Sequence, residues 1–212
     1  MRRLIRGRML LVSLCMMAGA AAWAQQNHKP ASQARVSADL AVTFAVERSQ
    51  MSLTQDSFWF KGGGADAAVT FWKGFGVAAS LTGDTASNIT PGVAVNKISY
   101  LAGPRYTHTV WQGQASAADQ RRMQLFGQGL FGEAHAFDGL YPATDGATTS
   151  ANSFAVQAGG GVNLYLTRSF GVRLLQADYV RTTLPNAAAN TQNDLRLAFG
   201  ITYHCSLPRH SR

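Results

Sequence analysis

The chain has 212 residues, with 19 Lys and Arg against 11 Asp and Glu, 14% charged residues, 46% hydrophobic residues and two cysteines. Four of the basic residues, Arg2, Arg3, Arg6 and Arg8, lie in an N-terminal segment read below as cleaved, which leaves 15 minus 11, or +4, on the remainder. That mild excess, with no basic run beyond Arg121-Arg122, excludes a nucleic-acid-binding footprint, and Cys205 as the one cysteine after the segment excludes a disulfide-stapled fold or a cysteine zinc site.

The N-terminal segment is MRRLIRGRMLLVSLCMMAGAAAWAQ. A basic start, a short apolar run from Met9 to Met17 and the small residues of Ala22-Trp23-Ala24 describe a secretory signal peptide cut after Ala24. The apolar run is too short to span ~30 Å of hydrocarbon as an anchor. The expected organisation is a signal peptide at 1–24, a short periplasmic segment at 25–34, a barrel at 35–205 and a tail at 206–212.

Past residue 30, apolar positions recur with period two, the signature of strands with two unlike faces. In the first strand Leu40, Val42, Phe44 and Val46 alternate with Asp39, Ala41, Thr43, Ala45 and Glu47. The second sets Ala65, Ala67, Val69 and Phe71 against Gly64, Asp66, Ala68 and Thr70. In the third, Phe75, Val77, Ala79 and Leu81 oppose Gly76, Ala78, Ser80 and Thr82. The fourth has Ile98, Tyr100, Ala102 and Tyr106 against Ser99, Gly103, Arg105 and Thr107. Residues 122–137 form a fifth, less regular strand. Glu133 and His135 share a parity there with Phe131, while Gln128 sits opposite, so its inward face is not fixed. The sixth runs from Phe154 to Thr167, the seventh over 170–182 and the eighth over 194–204. In the seventh, Arg173 and Asp178 have opposite parity, which calls for a bulge between them or for Arg173 at the rim. In the eighth, Leu195, Leu197, Phe199, Ile201 and Tyr203 share one face; Arg196, Ala198, Gly200, Thr202 and His204 share the other.

The connections alternate in character. Residues 48–57, 83–96, 138–152 and 183–193 read as long polar loops, whereas Trp72-Lys73-Gly74 and Thr167-Arg168-Ser169 read as tight turns; the third connection at the turn end, near 110–120, is longer than the pattern wants. Eight strands with long loops at one end and short turns at the other describe an all-β fold, an eight-stranded antiparallel up-and-down transmembrane β-barrel with its turns in the periplasm. In lipid every backbone amide needs a partner within the protein, which a closed barrel supplies. The small and polar parity then lines the interior, which eight strands leave just wide enough for side chains. Asp39, Glu47, Asp66, Arg105 and Arg196 fall on that parity and form the expected interior charged network. Phe58, Trp59, Phe60, Trp72, Tyr100, Tyr106, Trp111, Phe137, Tyr141, Phe170 and Tyr203 cluster near strand ends, as interfacial girdles require.

Candidate chemistry is sparse. His135, Asp138 and Ser153 supply the residue types of a rim esterase or acyltransferase, but without a spacing motif. His204 and Cys205 are adjacent in a strand and so face opposite ways, which argues against a metal pair. The KGGG at 61–64 lacks the Gly-Lys-Ser/Thr of a phosphate loop. No catalytic residue, cofactor or metal is expected.

The stretches LAGPRYT (101–107), FGQGLFGEAHA (126–136), GGGVNLYLTRSFGVRLLQADYVRT (159–182) and QNDLRLAFGITY (192–203) resemble the small outer-membrane β-barrel proteins of Gram-negative bacteria. They are similar to the OmpA transmembrane domain and its OprF-like relatives. The resemblance implies insertion by the outer-membrane assembly machinery and no catalytic residues. Two departures stand out: HCSLPRHSR follows Tyr203, where such barrels close on an aromatic residue, and Asn163 stands where relatives often have Asp. No peptidoglycan-binding domain follows, so wall anchoring is not implied. The expected function is structural or surface-exposed and non-enzymatic, in a monomer with a plugged polar interior that contacts outer-membrane lipids and lipopolysaccharide. The alternatives are a small channel or carrier for an apolar solute, the rim esterase or acyltransferase acting on lipid A, and a lipocalin-like cup with its apolar faces inward.

Overall fold

The computed structural model describes residues 36–50, 57–90, 93–113, 121–143, 146–185 and 191–207. The segments read as signal peptide and as N-terminal segment lie outside these residues. Eight strands follow in order: β1 (Val36–Gln50), β2 (Ser57–Trp72), β3 (Phe75–Thr90), β4 (Val93–Gln112), β5 (Arg122–Ala143), β6 (Gly146–Tyr165), β7 (Phe170–Thr182) and β8 (Gln192–Leu207). Each pairs antiparallel with the next, and β8 returns to β1, so the sheet closes without a free edge.

The register fixes the tilt. Paired residues followed once around run Ser37, Thr70, Gly76, Arg105, Gln128, Gly159, Asp178, Arg196 and Glu47. The circuit starts at Ser37 and ends at Glu47, ten positions further along β1. A barrel can close with such a stagger only if its strands lean, typically by 35–45°. Residues level in a membrane are therefore offset by about one position per strand from residues that are paired.

Two turns mark one end, the turn end. Lys73 and Gly74 both have positive φ, 44° and 92°, the pair of values a two-residue hairpin needs to match strand twist. At 166–169 the chain reverses with Leu166 N and Thr167 N donating to Phe170 O at 3.0 and 3.1 Å. At the opposite, loop end, the strands run longer than expected. Residues 83–90 and 93–96 are paired ribbon, as are 138–143 and 146–152, so two of the expected loops are mostly strand.

The alternation resolves outward for the bulky parity. Ile201 is 65% exposed and Phe199 57%, while Arg196 between β7 and β1 is 3% exposed. In β7, Leu174 and Leu175 both face out, and the ladder skips a position there against β6 and β8. This bulge is what lets Arg173 and Asp178 both point inward despite opposite parity. In β5 the even positions Phe126, Gln128, Leu130, Ala134 and Ala136 are buried, which settles its inner face and leaves Glu133 outside.

Exposed rings collect at both ends of the exterior. Trp72, Phe75, Tyr106, Phe170 and Tyr203 gather near the turn end, with Phe75 and Tyr106 at 4.8 Å and Phe170 and Tyr203 at 5.0 Å between centroids. Trp59, Tyr100, Phe154 and Tyr179 stand near the loop end. Phe60 and Tyr141, read above as girdle residues, are instead buried inside at 5% and 8% exposure. On β7, nine positions separate Phe170 from Tyr179; at ~3.4 Å per residue and a lean of ~40° they stand roughly 20–25 Å apart along the axis. That is the height of the apolar band of a transmembrane barrel, ~25 Å. No helix among the described residues is long and apolar enough to cross a membrane, which says nothing of a β-barrel.

A candidate interior ion network

The inward parity delivers charges to the lumen from strands that are not neighbours, so their contacts run across it. They fall into three tiers.

Nearest the loop end, the Lys97 ammonium on β4 donates to the Glu47 carboxylate on β1 and lies 3.7 Å from Asp194 Oδ2 on β8. Arg196 on β8 reaches Asp84 on β3 at 2.6 Å and Glu47 at 3.5 Å. Lys97 also sits 4.8 Å over the Phe60 ring. All five ionic groups are at least 95% buried. Burial at this level costs each charge its hydration, and only close opposite partners offset the loss. Above the tier Ala136, Tyr141 and Leu184 pack together, with Val95 and Ala151 against them.

In the middle tier the Arg173 guanidinium on β7 donates to Asp66 on β2, to Gln176 Oε1 at 2.5 Å and to Asn163 Oδ1 at 3.1 Å. Gln176 in turn donates to Asp178 Oδ2 at 2.7 Å. Arg105 and Arg173 both lie on the Phe126 ring, at 3.8 and 4.7 Å. An arene face attracts a cation without adding a second carboxylate.

At the turn end Asp39 on β1 accepts from the Tyr165 hydroxyl on β6 at 2.8 Å and lies 2.7 Å from His204 Nδ1 on β8. His204 Nε2 is 3.4 Å from the Ser206 hydroxyl. Acid, imidazole and hydroxyl thus stand in the connectivity of a proton relay, with the hydroxyl contact longer than the 2.6–3.2 Å of a primed nucleophile. Arg122 stacks on Tyr165 at 4.1 Å.

Asp39, Glu47, Asp66, Arg105 and Arg196 are therefore all buried in the lumen, Glu47 and Arg196 in one tier, Asp66 and Arg105 in the next, and Asp39 in the third. Sequence reading missed Asp84, Lys97 and Asp194, and left Arg173 and Asp178 between a bulge and the rim. Parity held the signal for most of them: the inward series Gly76, Ala78, Ser80 and Thr82 continues to Asp84, and Asp194 shares the parity of Arg196. His135, Asp138 and Ser153 are not brought together. Ser153 is buried in the lumen, His135 faces Asn152 on the other side of the wall, and Asp138 accepts from Asn96 Nδ2 at 2.7 Å. Among the described residues no group of His, Cys, Asp or Glu is placed to hold a metal ion, and Cys205 is a free thiol.

No family model and no curated protein matches the chain. Among solved structures it is similar to Neisserial surface protein A at 15% identity, over 79% of this chain and 96% of that one, with a TM-score of 0.47. It is similar to Ail, the attachment invasion locus protein of Yersinia pestis, in complex with the heparin analogue sucrose octasulfate, at 14% identity over 80% and 99% with a TM-score of 0.46. It is also similar to the N-terminal β-barrel domain of Pseudomonas aeruginosa OprF at 13% identity over 82% and 98%, with a TM-score of 0.40. At these scores the likenesses carry no weight of their own; the fold rests on the closed ladder and the membrane reading on the exterior band.

Proposed function

We propose that the chain is a non-enzymatic barrel of the outer membrane, a single protomer inserted by the assembly machinery with its loop end outward, whose lumen is closed to solutes by its own side chains. One observation carries the reading: ion pairs join β4 to β1 and β8 to β3 across the interior in the loop-end tier, and β7 to β2 in the tier below it. A solute passing through would have to break several buried pairs in turn, each leaving a charge uncompensated at a cost of about 3–5 kcal/mol. In planar bilayers the protein is expected to give no resolved conductance steps, and a variant that removes a pair in each tier, Asp84→Ala and Arg196→Ala with Asp66→Ala and Arg173→Ala, is expected to admit small ions. Steady unitary steps from the unaltered protein would sink this reading in favour of a channel.

The non-enzymatic part has its own test. Asp39, His204 and Ser206 are the residues here that most resemble a catalytic line, and Ser206 is exposed at the mouth. A fluorophosphonate probe is expected to leave Ser206 unlabelled. Labelling that disappears in His204→Ala would establish a hydrolase in place of a structural barrel.

A further inference from the structure

The loop-end rim is electrically lopsided on the outside. Arg48 on β1, Lys61 on β2 and Arg181 on β7 are exposed there. The loop-end halves of β3, β4, β5 and β6 present no Lys or Arg on the exterior among the described residues; Lys97 points inward, and the exposed ionic groups are Glu133 and Asp138 on β5. These two acids are engaged within the chain, Glu133 accepting from the Tyr100 hydroxyl and Asp138 from Asn96.

The stagger of the ladder brings the three cations level. Arg48 is paired with Trp59 and with Leu195, and Leu195 with Tyr179. Stepping about one residue per strand to stay level moves from Trp59 toward Lys61 on one side and from Tyr179 toward Arg181 on the other. Three strand spacings separate β7 from β2, which on strands leaning by ~40° is a level arc of roughly 19 Å. Trp59 and Tyr179, both about half exposed, are interleaved with the cations and set the arc at the outer aromatic girdle, where headgroups begin.

We infer that the arc of Arg48, Lys61 and Arg181, with Trp59 and Tyr179 between them, holds the phosphates of one phosphorylated glycolipid of the outer leaflet, its acyl chains lying along β8 and β1. A general attraction to an anionic surface would be served by cations spread evenly around the barrel. Confinement of all three to four neighbouring strands instead suits one ligand bound at one azimuth. The chemistry fits: guanidinium groups offer paired donors to phosphate oxygens, an ammonium offers a point charge, and the aromatic faces seat a sugar–acyl boundary. Below the arc Leu195, Phe199, Ile201, Val42 and Phe44 make an unbroken apolar wall for chains. The inference rests on the outer-membrane reading above.

The test uses the full-length barrel refolded into phosphatidylcholine vesicles that contain bis-phosphorylated lipid A, dephosphorylated lipid A or phosphatidylglycerol, with retained lipid counted by native mass spectrometry after release into detergent. Each basic residue near an anionic surface contributes roughly a fivefold change in affinity, so R48Q/K61Q/R181Q is expected to retain phosphorylated lipid A on the order of a hundredfold less well. K73Q at the turn end is expected to leave retention unchanged, and dephosphorylated lipid A to be lost from both. Equal retention by the triple variant overturns the inference, as does equal retention of phosphatidylglycerol, which would mean charge attraction alone. A dimer that dissolves in E133Q would assign the arc to a second copy of the chain and overturn it too. Failure of the membrane reading itself would show separately, as absence of the folded band in unboiled gel samples before any lipid is counted.

Discussion

Arg173 shows what a buried cation requires. One guanidinium donates to Asp66, Gln176 and Asn163 and lies on the Phe126 ring, at 2% exposure. Removing it strands Asp66 in a site without water's dielectric. Arg173→Met is therefore expected to cost about 3–5 kcal/mol, measured as the urea midpoint of tryptophan fluorescence in vesicles. Adding Asp66→Asn to that variant is expected to recover a good part of the loss, because the orphaned charge goes with it. If the double variant is as unstable as the single one, the pair is not what stabilises the site. Glycine serves the same tiers by absence. A Cβ on Gly159 would overlap the Asp178 carboxylate and the Ala177 carbonyl oxygen, and one on Gly62 would overlap the Asp84 carboxylate and the Gly83 carbonyl oxygen. Gly159→Ala is expected to lower the same urea midpoint by about 1–3 kcal/mol, the usual range for overpacking, whereas Gly129→Ala, whose added methyl meets nothing within 4 Å, is expected to change it little.

At the scale of the strand, period-two alternation carried most of the information, and the departures from it are physical. The faces of β1, β3 and β8 were legible because inward residues are uniformly small or charged and outward ones bulky. β5 was not, because Phe126 and Leu130 point inward beside Arg105 and Leu101 while Glu133 and His135 point outward at the headgroup level, where lipid no longer penalises polarity. The ribbons at 83–96 and 138–152 were read as loops from their Thr, Ser, Asn and Gly content. They are paired because a hairpin above the membrane is bathed in water and has no need of bulky outward residues. That misreading also hid Asp84 and left Lys97 without its cross-lumen partners. The bulge at Leu174–Leu175 was legible as a conflict of parity, though the sequence did not say which of two resolutions holds. Deleting Leu174 puts Arg173 and Asp178 four positions apart, so that plain alternation by itself points Arg173, Gln176 and Asp178 inward. The deletion is expected to keep the folded band in unboiled gel samples; loss of that band would show that the bulge does more than set the parity of Arg173 and Asp178.

The barrel of the described residues behaves as one closed surface with its apolar band outside and ions within. Brominated lipids report the depth of its tryptophans: Trp59 near one rim and Trp72 and Trp111 near the other are expected to be quenched by bromines close to the headgroups and spared by bromines at the chain ends. Strong quenching from the bilayer centre would displace both girdles and with them the assignment of the apolar band. The pairing of Val36 with Leu207, and of every β1 residue between there and Arg48 with one in β8, has a further consequence for biogenesis. Of the eight strands, the one made first must wait for the one made last. Until they meet, two rows of bare amides and carbonyls have no place in hydrocarbon, so synthesis and membrane entry cannot proceed in step: all eight strands have to be made, kept from clumping on the way, and then sealed in a single act.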